Sequence, residues 1–157
     1  MPFWLSLLAQ FSLLAYALLG GVFLAFSDFI MRALRVTEGG GGAAAMQAIN
    51  REVFRFVFIP LFLAMAPISV MLAAGAWMTG VSQWPFVIAG AIYLLGAFAV
   101  TIARNVPMNN ALARLDANGS EAKAYWADVY LPNWTFWNGV RAASCIVAAA
   151  IMQNAIA

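Results

Sequence analysis

Long apolar stretches alternate with two polar windows along this sequence. Every charged side chain lies either in residues 28–55 or in residues 104–141, and the three stretches outside these windows carry none. A helix needs roughly 20 apolar residues to cross the hydrocarbon core of a bilayer, and four segments of the chain meet that length. The candidate spans are residues 3–30, 54–79, 84–103 and 134–156, with approximate ends.

These spans predict an all-α membrane protein in which residues 1–157 form one four-transmembrane-helix antiparallel bundle. Short interfacial helices are expected in the two long connections. The composition agrees, since 65% of the residues are hydrophobic and 9% are charged, whereas soluble domains carry about a quarter charged residues. A charge at the bilayer centre costs about 2.5–3.5 kcal/mol, so lipid explains why the charges are segregated.

The charge pattern also predicts an orientation. All eight Lys and Arg residues lie in the two long connections or near the same end of the fourth span, and the turn at residues 80–83 has none. The positive-inside rule places the long connections in the cytoplasm and both termini on the non-cytoplasmic side. Because nothing resembles an organelle transit peptide, a bacterial inner membrane is the expected location.

Residue types that are absent limit the chemistry. The chain has no histidine, which excludes histidine-dependent triads and metal sites built on imidazole. We therefore expect no metal and no cofactor. The net charge of +2 is spread through loops and does not indicate a nucleic-acid partner. The expected partners are the lipid bilayer and a lipophilic small molecule, or other subunits.

The polar connections contain turn and cap residues that predict local structure. Residues 39–42 are four glycines, expected to form a flexible hinge, and residues 43–58 form an amphipathic pattern expected to run into the second span. Pro107 is expected in the first turn of a short helix, Pro132 at the end of another, and Asn133 as the N-cap of the fourth span.

Three charged residues are candidates for catalysis. Asp28 is the acid nearest a membrane core, where it could act as a general base. Arg141 lies about two turns inside the fourth span and needs a partner, and with Arg104 it could stabilise an enolate. The alternative is structural: Asp28 would form an ordinary interfacial ion pair with Arg32 or Arg141.

Amides and one tryptophan complete the predicted site. Amides at the end of the third span and the start of the fourth could orient substrate oxygens, and Trp137 could stack on rings. The alternative is that the amides are helix caps and that Trp137 belongs to an interfacial aromatic belt. The predicted substrate-binding residues are Asn105, Asn109, Trp137, Asn138, Gln47 and Asn50.

Three short motifs resemble those of the anthrone oxygenase-like membrane proteins. They are Met46-Gln47-x-x-Asn50, Thr101-x-x-x-Asn105-x-Pro107-x-Asn109-x-x-Leu112 and Trp137-Asn138-x-x-Arg141. The resemblance implies a four-helix membrane domain and, as in characterised fungal members, oxidation of an anthrone to an anthraquinone by O₂. Many members place histidine directly after the Trp-Asn pair, where this chain has Gly139.

Two functions are compatible with the sequence. One is a small membrane oxygenase that acts, without a cofactor, on a lipophilic polycyclic or quinone-like substrate. The other is a non-catalytic protein, either an accessory or scaffold subunit of a membrane complex or a lipid- or quinone-binding protein. The small residues Ala17, Gly21 and Ala25 could support helix contacts within the bundle or in a homo-oligomer.

Overall fold

The computed structural model describes residues 1–156, which form five helices and contain no strand. Four of the helices are long and apolar enough to cross a membrane, which confirms the predicted all-α membrane class. The fifth, α2, lies in the first connection. The helices are α1 (Phe3–Arg35), α2 (Gly41–Glu52), α3 (Phe58–Met78), α4 (Trp84–Ala113) and α5 (Ser120–Ile156).

The four long helices form an antiparallel ring. Helix α1 packs against α3 and α5, and α4 packs against the same two helices from the other side. The first turn of α1 lies beside the end of α3, because the Trp4 ring meets Gly75. At the other end, the rings of Phe23 and Phe58 contact edge to face, with centroids 5.6 Å apart.

Helix α2 covers the charged end of this bundle. Its apolar side, with Ala43 and Met46, forms a second hydrophobic cluster with Met31 of α1, Leu112 of α4 and Trp134 of α5. This cluster is separate from the main core between the long helices. The first connection therefore contains a folded, packed element that brings polar side chains over the ends of three helices.

The first connection differs from the prediction in two ways. Helix α2 ends at Glu52 and residues 53–57 form a turn, so the expected continuous helix over residues 43–58 is wrong. Pro60 explains the break, because it cannot donate a hydrogen bond inside a continuing helix but is accepted in the first turn of α3. The glycines are not a hinge: Gly40 and Gly42 are buried, and a Cβ on Gly40 would collide with the Ala117 carbonyl.

The second connection is more helical than predicted. Helix α4 continues through Pro107 to Ala113, and α5 passes through Pro132 without a break. The expected helix starts at Pro107 and Asn133 and the expected helix end at Pro132 are therefore wrong. Each proline follows a π-helical turn, Thr101–Asn105 and Trp126–Tyr130 respectively. The wider hydrogen-bond spacing of these turns accommodates the missing proline N–H.

Small residues permit close helix contact inside the bundle. A Cβ on Gly96 of α4 would collide with the Ser144 side chain of α5, and one on Gly20 of α1 would lie 3.2 Å from the Cys145 Cβ. Gly21, which belongs to the small-residue ladder noted in the sequence, has no atom within 4 Å of its Cβ position. That ladder residue faces away from the bundle.

Candidate functional site

Arg141 is buried within α5 near the charged end of the bundle, with only 6% of its surface exposed. Its Nη1 donates to the Thr101 hydroxyl at 3.1 Å, and its Nη2 donates to the Asn138 carboxamide oxygen at 2.6 Å. Its Nε has no hydrogen-bond partner. Across residues 1–156, the two ion pairs are Arg32–Asp28 and Arg55–Glu52, so no carboxylate neutralises Arg141.

Neutral groups hold the Arg141 charge. The guanidinium lies 4.3 Å from the Phe23 ring centroid and 5.2 Å from that of Trp134. A desolvated cation–π contact contributes about 2 kcal/mol, and a hydrogen bond from a charged group about 1.5–3 kcal/mol. Together these offset a burial penalty of several kcal/mol but leave the positive charge unbalanced. The site can therefore still attract an anion.

Asn138 fixes the position of this guanidinium. Its amide nitrogen donates to the Phe23 carbonyl and to the Ser27 hydroxyl, both at 2.6 Å. Its oxygen is the Arg141 acceptor. The amide thus ties α5 to α1 and leaves one oxygen to orient Arg141.

A second polar group surrounds Asn109 of α4. The Trp134 indole nitrogen and the Tyr130 hydroxyl both lie 2.8 Å from Asn109 Oδ1. Because an indole N–H can only donate, the Asn109 oxygen must point toward Trp134, and its NH₂ group is directed elsewhere. Asn50 of α2 donates to the Tyr130 hydroxyl at 3.4 Å. This chain of hydrogen bonds joins α2, α4 and α5.

Aromatic stacking supports the Asn109 partners. The rings of Trp126, Tyr130 and Trp134 stack in sequence, with centroids 5.4 Å and 6.0 Å apart and interplanar angles of 19° and 17°. The first two residues bound the π-helical turn of α5. This turn shifts the register of α5, so residues four apart present a continuous ladder toward α2 and α4.

These two polar groups face one cavity of about 140 Å³ at the charged end of the bundle. Its polar lining comes from Asn50, Thr101, Asn109, Asn138 and Arg141, and no carboxylate is among the lining residues. Its other walls are apolar and include the turn between α2 and α3. The apolar lining residues are Val22, Phe23, Phe26, Met46, Ile49, Val53, Phe54, Phe58, Ile59, Val106 and Trp134.

The structure brings four of the nine predicted site residues to this cavity and leaves five outside its lining. Arg141, Asn138, Asn109 and Asn50 line it. The residues outside the lining are Asp28, Arg104, Asn105, Trp137 and Gln47.

Asp28 is on the surface. Its carboxylate accepts from Arg32 Nη2 at 2.8 Å, and 62% of its side chain is exposed. The geometry matches the structural alternative named for Asp28, an ion pair with Arg32. The other pairing considered for Asp28, with Arg141, is not formed.

The other outlying residues make identifiable contacts. Arg104 is exposed, and its guanidinium lies 4.7 Å from the Trp137 ring centroid. Gln47 donates to the carbonyls of Leu112 and Leu115 at 2.8 and 2.9 Å, where it caps the end of α4. Asn105 is buried and donates to the Trp134 carbonyl at 3.3 Å.

Several contributors to the site were not predicted from the sequence. Thr101 stands four residues before Asn105 in the third-span motif, so helical spacing would have placed it on the same helix face as that predicted site residue. Trp134 lies seven residues before Arg141, which also places both on one helix face. Phe23 gave no signal, because an aromatic residue in an apolar span resembles any other core residue. Tyr130 lies in the second connection, where an aromatic residue is ordinarily explained by an interfacial belt.

Four membrane-length helices around a cavity with a buried cation define a helical membrane protein with an internal polar site. Comparison with protein families identifies the family: the chain belongs to the anthrone oxygenase family, whose model matches residues 53–151. This range includes α3, α4 and most of α5, and with them Arg141, Asn138 and Asn109. No curated protein and no solved structure matches the chain.

Proposed function

We propose that this protein binds a lipophilic, enolisable polycyclic ketone at the cavity and promotes its oxidation by O₂. Arg141 would bind the oxygen that becomes negatively charged when the substrate loses a proton. Membership of the anthrone oxygenase family supports this substrate class.

The observation that carries the proposal is a buried guanidinium without a counter-ion at the wall of a cavity. Fixed donors aimed at a developing negative charge usually make the largest single contribution to catalysis. Two of the five Arg141 N–H groups are hydrogen-bonded, so donors remain for a ligand. The Asn109 NH₂ group is a second donor for a substrate oxygen.

The reaction balances without a cofactor. The methylene carbon of an anthrone loses one proton to water, and the resulting enolate adds O₂ at that carbon to form a C–O bond. The peroxide anion takes a proton back from water, and loss of water from the hydroperoxide leaves a second ketone. One anthrone and one O₂ therefore give one anthraquinone and one water. No carboxylate lines the cavity, so Arg141 acts by increasing the acidity of the substrate itself.

Cavity size adds a requirement. Small-molecule sites usually measure about 300–1,000 Å³, whereas this cavity measures about 140 Å³. A three-ring substrate must displace part of the wall. We infer that the turn at residues 53–57 moves, because Val53 and Phe54 are the lining residues that lie outside the helices. Phe54 in this turn is 67% exposed and lies at the mouth.

The test is aerobic oxidation of emodin anthrone by protein purified in detergent, followed by quinone absorbance and O₂ uptake. We expect wild-type protein to exceed the spontaneous rate and Arg141→Gln to reduce the enzymatic rate about 10²-fold. Arg51→Gln removes an exposed cation from α2 and is the matched control, expected to retain the wild-type rate. A circular dichroism melt of each variant distinguishes lost chemistry from lost fold.

Two outcomes would overturn the assignment. Wild-type protein that gives no quinone above the spontaneous rate would remove the oxygenase function, and quenching of tryptophan fluorescence by the anthrone would then indicate a binding protein. Equal rates for Arg141→Gln and Arg51→Gln in folded proteins would remove Arg141 from the site.

A further inference from the structure

A second depression lies on the outer surface of the bundle, between the end of α1 and the first half of α5. It is an open groove of about 900 Å³ with a mostly apolar wall. It shares no lining residue with the inner cavity, because successive residues of α5 point to different sides. The α5 residues of the groove are Ala127, Leu131, Pro132, Thr135, Phe136, Gly139, Val140 and Ala143.

Cations border this groove at the charged end of the bundle. Arg32 and Arg35 of α1 belong to its lining. Arg35 also borders a smaller depression of about 240 Å³, together with Lys123 and Trp126 of α5. Asp28 neutralises Arg32, but neither Arg35 nor Lys123 forms an ion pair within residues 1–156.

We propose that the groove and its cationic end form a binding site for an anionic phospholipid. The phosphate would lie between Arg35 and Lys123, and one acyl chain would follow the apolar wall along α5 toward Ala143. Basic pockets between transmembrane helices attract anionic head groups, and each nearby Lys or Arg contributes about fivefold in affinity. A zwitterionic lipid lacks the net charge that these cations select.

The shape of the site favours a lipid over a soluble anion. A soluble phosphate needs only the cations, whereas the apolar groove extends from Arg35 to Ala143, about three turns of α5 beyond Leu131. Polar and apolar parts are continuous, since Arg35 and Ala127 line both depressions. Only an amphipathic ligand uses both.

The test is native mass spectrometry of the purified protein in detergent with equimolar phosphatidylglycerol and phosphatidylcholine. We expect phosphatidylglycerol to be retained preferentially. Arg35→Gln and Lys123→Gln should each lower its occupancy constant about fivefold. Arg114→Gln, which removes an exposed cation outside both depressions, is the charge-matched control and should leave retention unchanged.

A second pair of variants tests the groove itself. Ala143→Trp places a ring in the groove and should lower retention of phosphatidylglycerol. Ala150→Trp places the same ring on an exposed position of α5 outside the groove and should not. Both positions are on the surface, so the fold is expected to tolerate both rings.

Three results would overturn the proposal. They are equal retention of the two lipids, equal effects of Arg35→Gln and Arg114→Gln, and displacement of phosphatidylglycerol by an equal concentration of water-soluble glycerol phosphate. The last would mean that the head group binds without the groove. None of these results depends on anthrone oxidation, so the lipid site and the proposed oxygenase activity stand or fall separately.

Discussion

Arginine suits position 141 better than lysine would. Its planar fork allows Nη1 and Nη2 to bond two separate acceptors, Thr101 and Asn138, while its faces contact Phe23 and Trp134. An ammonium is a compact, more strongly hydrated charge that cannot reproduce this geometry. The residue thus stays charged in a buried place without a carboxylate, which is what an anion-binding group requires.

At Asp28 we predict little effect of substitution. Asp28→Asn breaks an exposed i,i+4 ion pair, and such pairs contribute about 0.3–0.5 kcal/mol. We expect the free energy of unfolding to fall by no more than this amount. Because the carboxylate does not line the cavity, the anthrone oxidation rate should change by less than about twofold, a factor equivalent to about 0.4 kcal/mol.

The comparison for Asp28→Asn is Arg32→Gln, which breaks the same pair from the other side. Both variants should behave alike in stability and rate. A large loss of rate in Asp28→Asn alone would mean that the carboxylate reaches the substrate and acts as the general base considered from the sequence.

The sequence located the cluster of site residues better than it assigned their contacts. A buried arginine inside a span is costly without partners, so the sequence predicted a partner for Arg141, and the structure provides Thr101 and Asn138. The partner could not be identified, because neutral groups such as Thr101 and Phe23 have no sequence signature as cation ligands. Asp28 was attractive as the nearest acid, but its own α1 neighbour Arg32 stands one helical turn away and forms the pair.

At the scale of elements, π-helical turns adapt three helices to the site. They lie at Phe26–Ile30 in α1, at Leu94–Ala99 and Thr101–Asn105 in α4, and at Trp126–Tyr130 in α5. One extra residue per turn rotates the following side chains relative to those before, and such turns are frequent at functional sites. They let Thr101 and Tyr130 reach their partners without breaking the helices.

The contact between α4 and α5 yields a stability prediction. Gly96→Ala introduces a Cβ that collides with the Ser144 side chain, and overpacking of this kind costs about 1–3 kcal/mol. We expect a lower melting temperature in detergent, measured by circular dichroism. Ser144→Gly should partly rescue it by opening the space.

Gly21→Ala is the matched control on α1. No atom lies within 4 Å of the added Cβ, and alanine is favoured over glycine inside a helix by up to about 1 kcal/mol. This variant should be neutral or stabilised. Equal destabilisation by the two substitutions would contradict the packing described for Gly96.

Helix existence was predictable, but helix ends in the connections were not. The hydrophobic lengths of the spans depend on the bilayer alone, so the four long helices follow directly from the sequence. Pro107 and Pro132 ordinarily signal helix boundaries, but here a π-helical turn precedes each. The glycine run was read as flexible because glycine has no side chain, although close backbone packing at Gly40 also requires glycine.

At the scale of the molecule, all charged residues gather at one end of the bundle, where the site also lies. This arrangement predicts that both long connections face the same compartment. Two variants are made in a protein that carries Cys145→Ala, one with Glu38→Cys and one with Lys123→Cys. Both should react alike with an impermeant maleimide in sealed vesicles. A cysteine at Gln83 should react from the opposite side.

The positive-inside rule further predicts that Glu38 and Lys123 face the cytoplasm. They should be protected in intact cells and labelled in inverted vesicles. Labelling of Glu38 and Lys123 from opposite sides would contradict the four-span topology, and labelling of both from outside would contradict the orientation only.

The turn at residues 53–57 gives the molecule a particular dependence on its surroundings. Phe54, Phe56 and Val57 are largely exposed there, and Phe54 also lines the cavity. We therefore predict that the proposed hydrophobic reactant enters by lateral diffusion within the leaflet. Apparent affinity in liposomes would then scale with moles of reactant per mole of lipid. Added empty liposomes should slow turnover by dilution even when the bulk concentration is held constant.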